Sequence, residues 1–332
     1  MPGHDRSALD ASVLLFDDVS AAASELADRL GDAVRQLNRR GAVLGLSGGV
    51  DSSVVAALAV QALGRDRVLA VLMPERESSA DTLPLSRAVA DALEIDYVVE
   101  DVTAPLVALG AYERRDEAIR SVIPEYGPGW VAKLVLPSLL ESRGYRLTSL
   151  VARAPDGDER TVRLPPEAYR QVVAATNFKQ RVRKMLEYYH ADRRHFAVLG
   201  TPNRLEFDQG FFVKQGDGAA DVKPIAHLFK TQVYQLAAAL GLPDAVRTRP
   251  PTTDTFPMPQ SQEEFYFSLP LEPLDLCLYA LDRGLSAADV APALGLDEEQ
   301  VERVFDDIAA KRRGARYLHA APLTCVPSGD GE

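Results

Sequence analysis

Apolar residues recur along this chain at two different spacings, and the alternation between them predicts an architecture. Between residues 10 and 40, Leu14, Val19, Ala22, Leu26, Leu30, Val34 and Leu37 fall at helical spacing, and Asn38-Arg39-Arg40-Gly41 supplies the basic residues and glycine that stop a helix. The run Ala42-Val43-Leu44 then reads as a buried strand, and residues 54–60 as a helix. A second buried strand over 67–73 ends at Pro74. A helix follows to Leu93, with Ser79 or Asp81 as its cap, and residues 94–102 form a third strand. Strands alternating with helices at this spacing predict an α/β fold, a doubly wound parallel sheet.

The pattern loosens between about 105 and 175. Residues 106–123 read as a helix, Gly127-Pro128-Gly129 as a break, and 130–142 as another short helix. Residues 145–153 and 159–164 flank Ala154-Pro155-Asp156-Gly157-Asp158, which has the composition of a hairpin turn, so this segment is an inserted hairpin beside the site or a surface decoration. Regularity returns with a helix over 177–189 whose first turns are strongly basic, a buried strand over 196–201, and a helix opening at His227 and ending near Leu240-Gly241. Residues 274–313 are helical in period, with Leu285-Ser286-Ala287-Ala288-Asp289 and Leu296-Asp297-Glu298-Glu299 as successive N-terminal signatures. The expected division is an α/β domain over 1–270 with its insertion at about 105–175, a helical segment over 271–322, and a disordered tail over 323–332.

Composition narrows the function classes. The 332 residues carry a formal net charge of −11 and are 46% hydrophobic, which fits an acidic globular protein with no general attraction to nucleic acid. The two cysteines, Cys277 and Cys325, are far apart and form no CxxC pair, so neither a zinc site nor a disulfide framework is indicated. No run approaches the roughly 18–20 apolar residues needed to cross a bilayer, and Met1 to Arg6 lacks an apolar signal core, so a cytoplasmic location without membrane contact is expected.

The chemistry concentrates in Gly45-Leu46-Ser47-Gly48-Gly49-Val50-Asp51-Ser52-Ser53, between the first strand and its helix. Free N–H groups at a helix start point outward, glycines let an anion approach the backbone, and serines add donors, which together suit polyphosphate. Asp51 would repel phosphate unless a cation lies between them, so the motif implies Mg²⁺. No lysine follows the glycines, so this is not the Walker A pattern.

These residues resemble the pyrophosphate loop of the N-type ATP pyrophosphatases, which split ATP between its α and β phosphates. Further motifs narrow the resemblance: Asn177-x-x-x-Arg181-x-Arg183, Gly200-Thr201-x-Asn203-x-x-Glu206, the stretch from Gly210 through Lys214 and Asp217 to Asp221, Pro224-Ile225, Leu228-x-Lys230-Thr231-x-Val233, and Pro250-Pro251-Thr252-x-Asp254. Together they look like the ammonia-dependent NAD synthase family, over residues 41–105 and 175–260.

The resemblance implies ATP and Mg²⁺ as cofactors, with Ser47, Gly48, Gly49, Val50, Asp51, Ser52 and Ser53 around the pyrophosphate and Asp51 and Glu206 holding the metal. It further implies that Lys230 and Thr252 contact the phosphates during adenylation, that Thr201 joins the ATP site, and that Asn177, Arg181, Arg183, Lys214, Asp217 and Asp221 bind a carboxylate substrate, deamido-NAD. Arg181 and Arg183 are spaced i, i+2, so at most one points straight at a nucleotide. Asn203 binds ligand or caps the next helix.

The reaction implied is adenylation of a carboxylate and its displacement by ammonia, by an AMP-forming ligase that is a homodimer. No segment for glutamine hydrolysis is read, so nitrogen arrives as free ammonia, as another amine or from a separate protein. Residues 252–267 begin like the family's mobile loop and then depart, with Gln262-Glu263-Glu264-Phe265-Tyr266 in place of the usual acidic continuation and Leu-Gly pair. A divergent amide ligase acting on another carboxylate is therefore the alternative reading.

Overall fold

The computed structural model describes residues 9–140, 148–253 and 255–325. Helix α1 (Val19–Gln36) leads into β1 (Ala42–Gly45), α2 (Val50–Leu63), β2 (Val68–Leu72), α3 (Thr82–Ala92) and β3 (Asp96–Val99). Next come α4 (Thr103–Ala108), α5 (Ala111–Arg120), β4 (Val131–Val135), β5 (Ser149–Arg153), β6 (Glu159–Arg163), the 29-residue α6 (Pro166–Arg194) and β7 (Ala197–Val198). The rest is helical: α7 (Arg204–Gln209), α8 (Lys230–Ala239), α9 (Asp244–Arg247), α10 (Leu271–Asp282), α11 (Ala287–Leu294) and α12 (Glu298–His319).

The first three strands and β7 form a parallel sheet in the order β3-β2-β1-β7. Its two faces are built by strict alternation within runs that read as continuously apolar. Ala42, Leu44, Val68, Ala70 and Leu72 pack with α1, α2 and α8, while Val43, Leu69, Val71 and Val198 pack against α6. Burial on both faces is what allows such runs. The chain steps from β1 to β2 and β3 on one side and returns through β7 on the other. The crevice between the carboxyl ends of β1 and β7 is therefore the switch point where an open α/β sheet binds its ligands.

Three elements differ from the sequence expectation. Residues 130–142 contain a strand rather than a short helix: in β4, Ala132 and Leu134 are buried while Lys133 lies on the opposite face, a period of two within a run too short to tell from a helix. Residues 141 and 142 lie outside the described residues. The single helix expected over 106–123 is two, broken at Gly110, whose φ is 65°. The basic helix expected to start at Asn177 starts eleven residues earlier, because Pro166 occupies its first position, where the missing N–H costs nothing.

The expected hairpin is present as β5 and β6, closed by hydrogen bonds from Ala154 N to the Asp158 carbonyl and from Gly157 N to the Ala154 carbonyl, and β4 extends it to a three-stranded antiparallel sheet; residues 145–147 of the expected first arm lie outside the described residues. The C-terminal helices share an apolar core, and both N-terminal signatures are capping boxes, at Ser286–Asp289 and Asp297–Gln300. Within that core the Cys277 thiol is buried, which pushes its pKa up to about 12. Of the tail expected to be disordered, residues 326–332 lie outside the described residues.

Candidate active site

The glycine and serine loop is a strand-to-helix turn, as its sequence predicts. Gly49 is the N-cap of α2, and the serines organise the turn: Ser52 Oγ and Ser53 Oγ donate to the Gly49 carbonyl at 3.1 and 2.8 Å, and Ser47 Oγ meets Ser52 Oγ at 3.1 Å. The first N–H groups of α2 consequently face the cavity without helical partners. Gly48 has φ +72°, and a Cβ there would lie 2.8 Å from Leu85 Cβ and 3.0 Å from Ser86 N. Gly48→Ala should therefore pull the turn away from α3, lower stability by about 1–3 kcal/mol and abolish the thermal stabilisation conferred by ATP. Thermal unfolding with and without the nucleotide tests this.

Asp51, on the first turn of α2, is the meeting point of three helix starts. Its Oδ2 pairs with the buried Lys230 ammonium, the first residue of α8, and its Oδ1 accepts from Asn203 Nδ2 at 3.1 Å. Asn203 also caps α7, accepting from Glu206 N at 3.1 Å while Glu206 Oε2 accepts from Asn203 N at 3.1 Å. Of the two readings of Asn203 the structure shows the helix cap, and its side-chain amide also steadies the Asp51 carboxylate. Asp275 on α10 accepts from Thr231 N and Oγ1 at 3.1 and 3.2 Å, which fixes the start of α8 beside Lys230. Burial pushes the Asp275 carboxyl up to about 7.

Burial, reinforced by Asp51, raises the Glu206 carboxyl to about 8, against the opposing charge of Lys230. Burial alone would lower the Lys230 ammonium; Asp51 and Glu206 outweigh it and raise its pKa. Among the described residues no group of three or more His, Cys, Asp or Glu is gathered that could hold an ion by itself.

The cavity over this centre has a volume of about 550 Å³. Ser47, Gly49, Val50, Asp51, Ser52, Thr201, Glu206, Lys230 and Thr252 line it, together with Asn177, Arg183 and Asp217. Neither Asn203 nor five further residues singled out from the sequence do. Gly48 and Ser53 lie beneath the turn; Arg181 is exposed, on a different side of α6 from Arg183, as i, i+2 spacing requires; Lys214 donates to the carbonyls of Tyr317 and Ala320; Asp221 accepts from Val198 N and Tyr188 OH and so braces β7. Asp217 accepts from Val213 N at 2.7 Å, and burial raises its pKa.

A family model described as NAD synthase matches residues 22–122 and 159–314. The chain belongs to the NAD synthase family. A protein of Mesorhizobium japonicum named NH(3)-dependent NAD(+) synthetase is 58% identical over 308 residues, covering 91% of this chain and 97% of the relative. A protein of Rhizobium meliloti with the same name is 54% identical over 326 residues, covering 98% and 97%. Among solved structures, an NMN synthetase from Francisella tularensis (TM-score 0.64, 20% identity) and an NH3-dependent NAD synthetase from Campylobacter jejuni (TM-score 0.61, 21% identity) each match 93% of this chain and 99% of their own. At those identities the likeness is one of fold. The family model leaves residues 123–158 unmatched, the segment containing β4 and β5.

Sequence reasoning found only Asn177 and Arg183 of one wall of this NAD synthase site. Tyr169, Val173, Thr176, Gln180, Arg183 and Glu187 run along α6 at spacings of four and three and all face the cavity, with Lys184 paired to Glu187 at 2.6 Å. That stripe is legible in the sequence once the helix is started at Pro166. Gln262 was also missed as a site neighbour: its Nε2 donates to Glu206 Oε1 at 2.9 Å, tying the loop over 252–267 to the acidic centre.

Proposed function

We propose that this chain is an ammonia-dependent NAD synthetase. The observation that carries this reading is a polyphosphate turn whose Asp51 is paired with Lys230 and linked through Asn203 to Glu206, in a chain 54–58% identical over nearly its full length to proteins of that name. A carboxylate oxygen of deamido-NAD attacks the α phosphorus of ATP, the bond to the bridging oxygen breaks, and pyrophosphate leaves with the electron pair. Ammonia then attacks the acyl carbon, AMP departs, and a proton is released to solvent as the amide forms. The divergent-substrate alternative loses ground to this similarity, which extends through the insertion and the 252–267 loop alike.

The donor set suits Mg²⁺. Asp51 and Glu206 offer hard oxygen donors whose mutual repulsion, part of what raises the Glu206 carboxyl, a divalent cation would relieve, and a site with only two protein carboxylates is of the kind Mg²⁺ completes with substrate phosphates. Asp51 and Glu206 would hold it, and it would neutralise charge on the departing pyrophosphate. The remaining work belongs to side chains and backbone. The N–H groups of α2 cradle the phosphates, Lys230 meets the anion that grows as the bond breaks, and Thr252 approaches from the loop. Asn177, Arg183 and Asp217 orient the dinucleotide carboxylate, so that much of the rate comes from positioning.

On the same reading the protein acts in the cytoplasm as a homodimer, and its nitrogen comes as free ammonia or from a separate ammonia-supplying protein. A surface for the second copy is available where Met185 and Tyr189 on α6 and Tyr97 and Val99 on the open edge strand β3 are exposed. Incubation with ATP, Mg²⁺, ammonium and deamido-NAD should yield NAD, AMP and pyrophosphate in equal amounts. A folded, ATP-binding preparation that made no NAD would overturn the proposal.

A further inference from the structure

We propose that Lys179, acting with the antiparallel sheet of β4, β5 and β6, seats the loop over 252–267 and thereby sets the rate of adenylation. The inference rests on the reading of Thr252 as a residue of the adenylation site. Lys179 does not itself line the cavity; it is a positioning residue.

The Lys179 side chain is 3% exposed, and its Nζ donates to Glu75 Oε1 at 2.7 Å, Glu77 Oε2 at 2.8 Å and the Thr255 carbonyl at 2.8 Å. An ammonium has three protons to donate, and here all three are used. The carboxylates are fixed by the body of the protein. Glu75 accepts from Tyr112 OH at 2.7 Å, and Glu77 is gripped by the Arg115 fork at 2.6 and 2.9 Å, which with Lys179 holds its carboxyl at about 2 despite burial. Two carboxylates and two cations thus neutralise one another out of water. The loop contributes a neutral carbonyl to this frame, three residues after Thr252.

The sheet holds the same loop independently. Phe256 is buried in the apolar core that includes Ile119, Leu134 and Leu150, Gln260 Nε2 donates to the Leu134 carbonyl, and Lys133 pairs with Glu264 at 2.6 Å. Beyond these anchors Gln262 reaches Glu206. A flexible segment would have to be ordered at each turnover before Thr252 could act; a segment fastened at several points just after Thr252 is already ordered. Strands β4 and β5 lie in the part of the chain that the family model leaves unmatched, so the seat is an addition to the common fold.

Lys179→Met and Phe256→Ala test the proposal through ATP–pyrophosphate exchange, cleavage of the loop by a protease, and thermal unfolding. Both variants should lower the exchange kcat by about 10- to 100-fold while changing the KM for ATP much less, and both should make residues 252–262 more quickly cleaved. A structural role alone would lower the unfolding temperature and leave kcat and loop cleavage of the folded protein at their original values, and that result would overturn the proposal. Should Lys179→Met not fold, Phe256→Ala and Lys133→Ala decide the matter, since neither strands a buried charge. Loop cleavage needs no substrate, so it reads the seat even if the unaltered chain shows no exchange, and failure of the seat is distinguished from failure of the proposed reaction.

Discussion

Replacing Lys230 by alanine is expected to slow pyrophosphate release from ATP by about 10²- to 10³-fold, or about 3 to 4 kcal/mol of transition-state stabilisation. The ammonium is buried at the first residue of α8 and ion-paired with Asp51 before ATP arrives, so no reorganisation is needed as charge develops on the leaving group. Cations are unfavourable at a helix start, and this one is retained against that tendency by Asp51 and Glu206. Its removal leaves the two carboxylates without their cation. The ligand-free variant should therefore lose about 3 kcal/mol of stability, and ATP with Mg²⁺ should restore part of it. Exchange of labelled pyrophosphate in the presence of deamido-NAD measures the first effect and thermal unfolding the second. Exchange at the unaltered rate would remove Lys230 from the reaction.

Glu206→Gln is expected to move activity and stability in opposite directions. In the native state this carboxyl keeps its proton to about pH 8, raised by burial and by Asp51, whereas its ordinary value is 4.5. The native state therefore binds more protons than the unfolded chain between those values, and stability falls as pH rises through that window. Above pH 8 the protein carries the full penalty of the buried charge. The glutamine variant escapes it. Its stability should change less between pH 4.5 and 8, and at pH 8.5 it should exceed that of the parent by a few kcal/mol. Exchange activity should fall by about 100-fold, with the Mg²⁺ concentration for half activity raised. Denaturant unfolding across this pH range and a Mg²⁺ titration of exchange check both halves. A variant with the parent's pH dependence of stability would refute the assignment of that window to Glu206.

Three strands of the parallel sheet, β1, β2 and β7, were legible as short apolar runs bounded by glycine, proline or basic residues, and the turn at Ser47–Ser53 because that string suits a strand followed by a helix. Lys230, Glu206 and Thr252, which line the cavity, were picked out through spaced motifs, since nothing in their local composition sets them apart. Where the structure departs from the expectation, the causes are physical. Residues 131–135 form too short a run to reveal their period without their partner β5, whose pairing is long-range. Asp221 and Lys214 carry charges that suit a nucleotide, but one braces β7 and the other holds the end of α12. Lys179 passed as part of a basic helical face because the carboxylates that bury it, Glu75 and Glu77, are about a hundred residues away. Local pattern finds elements; charge pairing between distant elements has to be seen.

Helix α6 places three separate duties on one rigid rod: a stripe along the cavity, the Lys179 anchor of the loop, and an outer face with Met185 and Tyr189 exposed. Substitutions on different sides of that rod share a backbone, so their effects should not simply add. A designer seeking a new acyl acceptor would do better to vary the loop and the antiparallel sheet together and leave the helix alone. Directed-evolution libraries confined to α6 should then yield mostly poorly folded clones, whereas libraries pairing loop and sheet positions should retain folded, nucleotide-binding members from which altered selectivity can be picked.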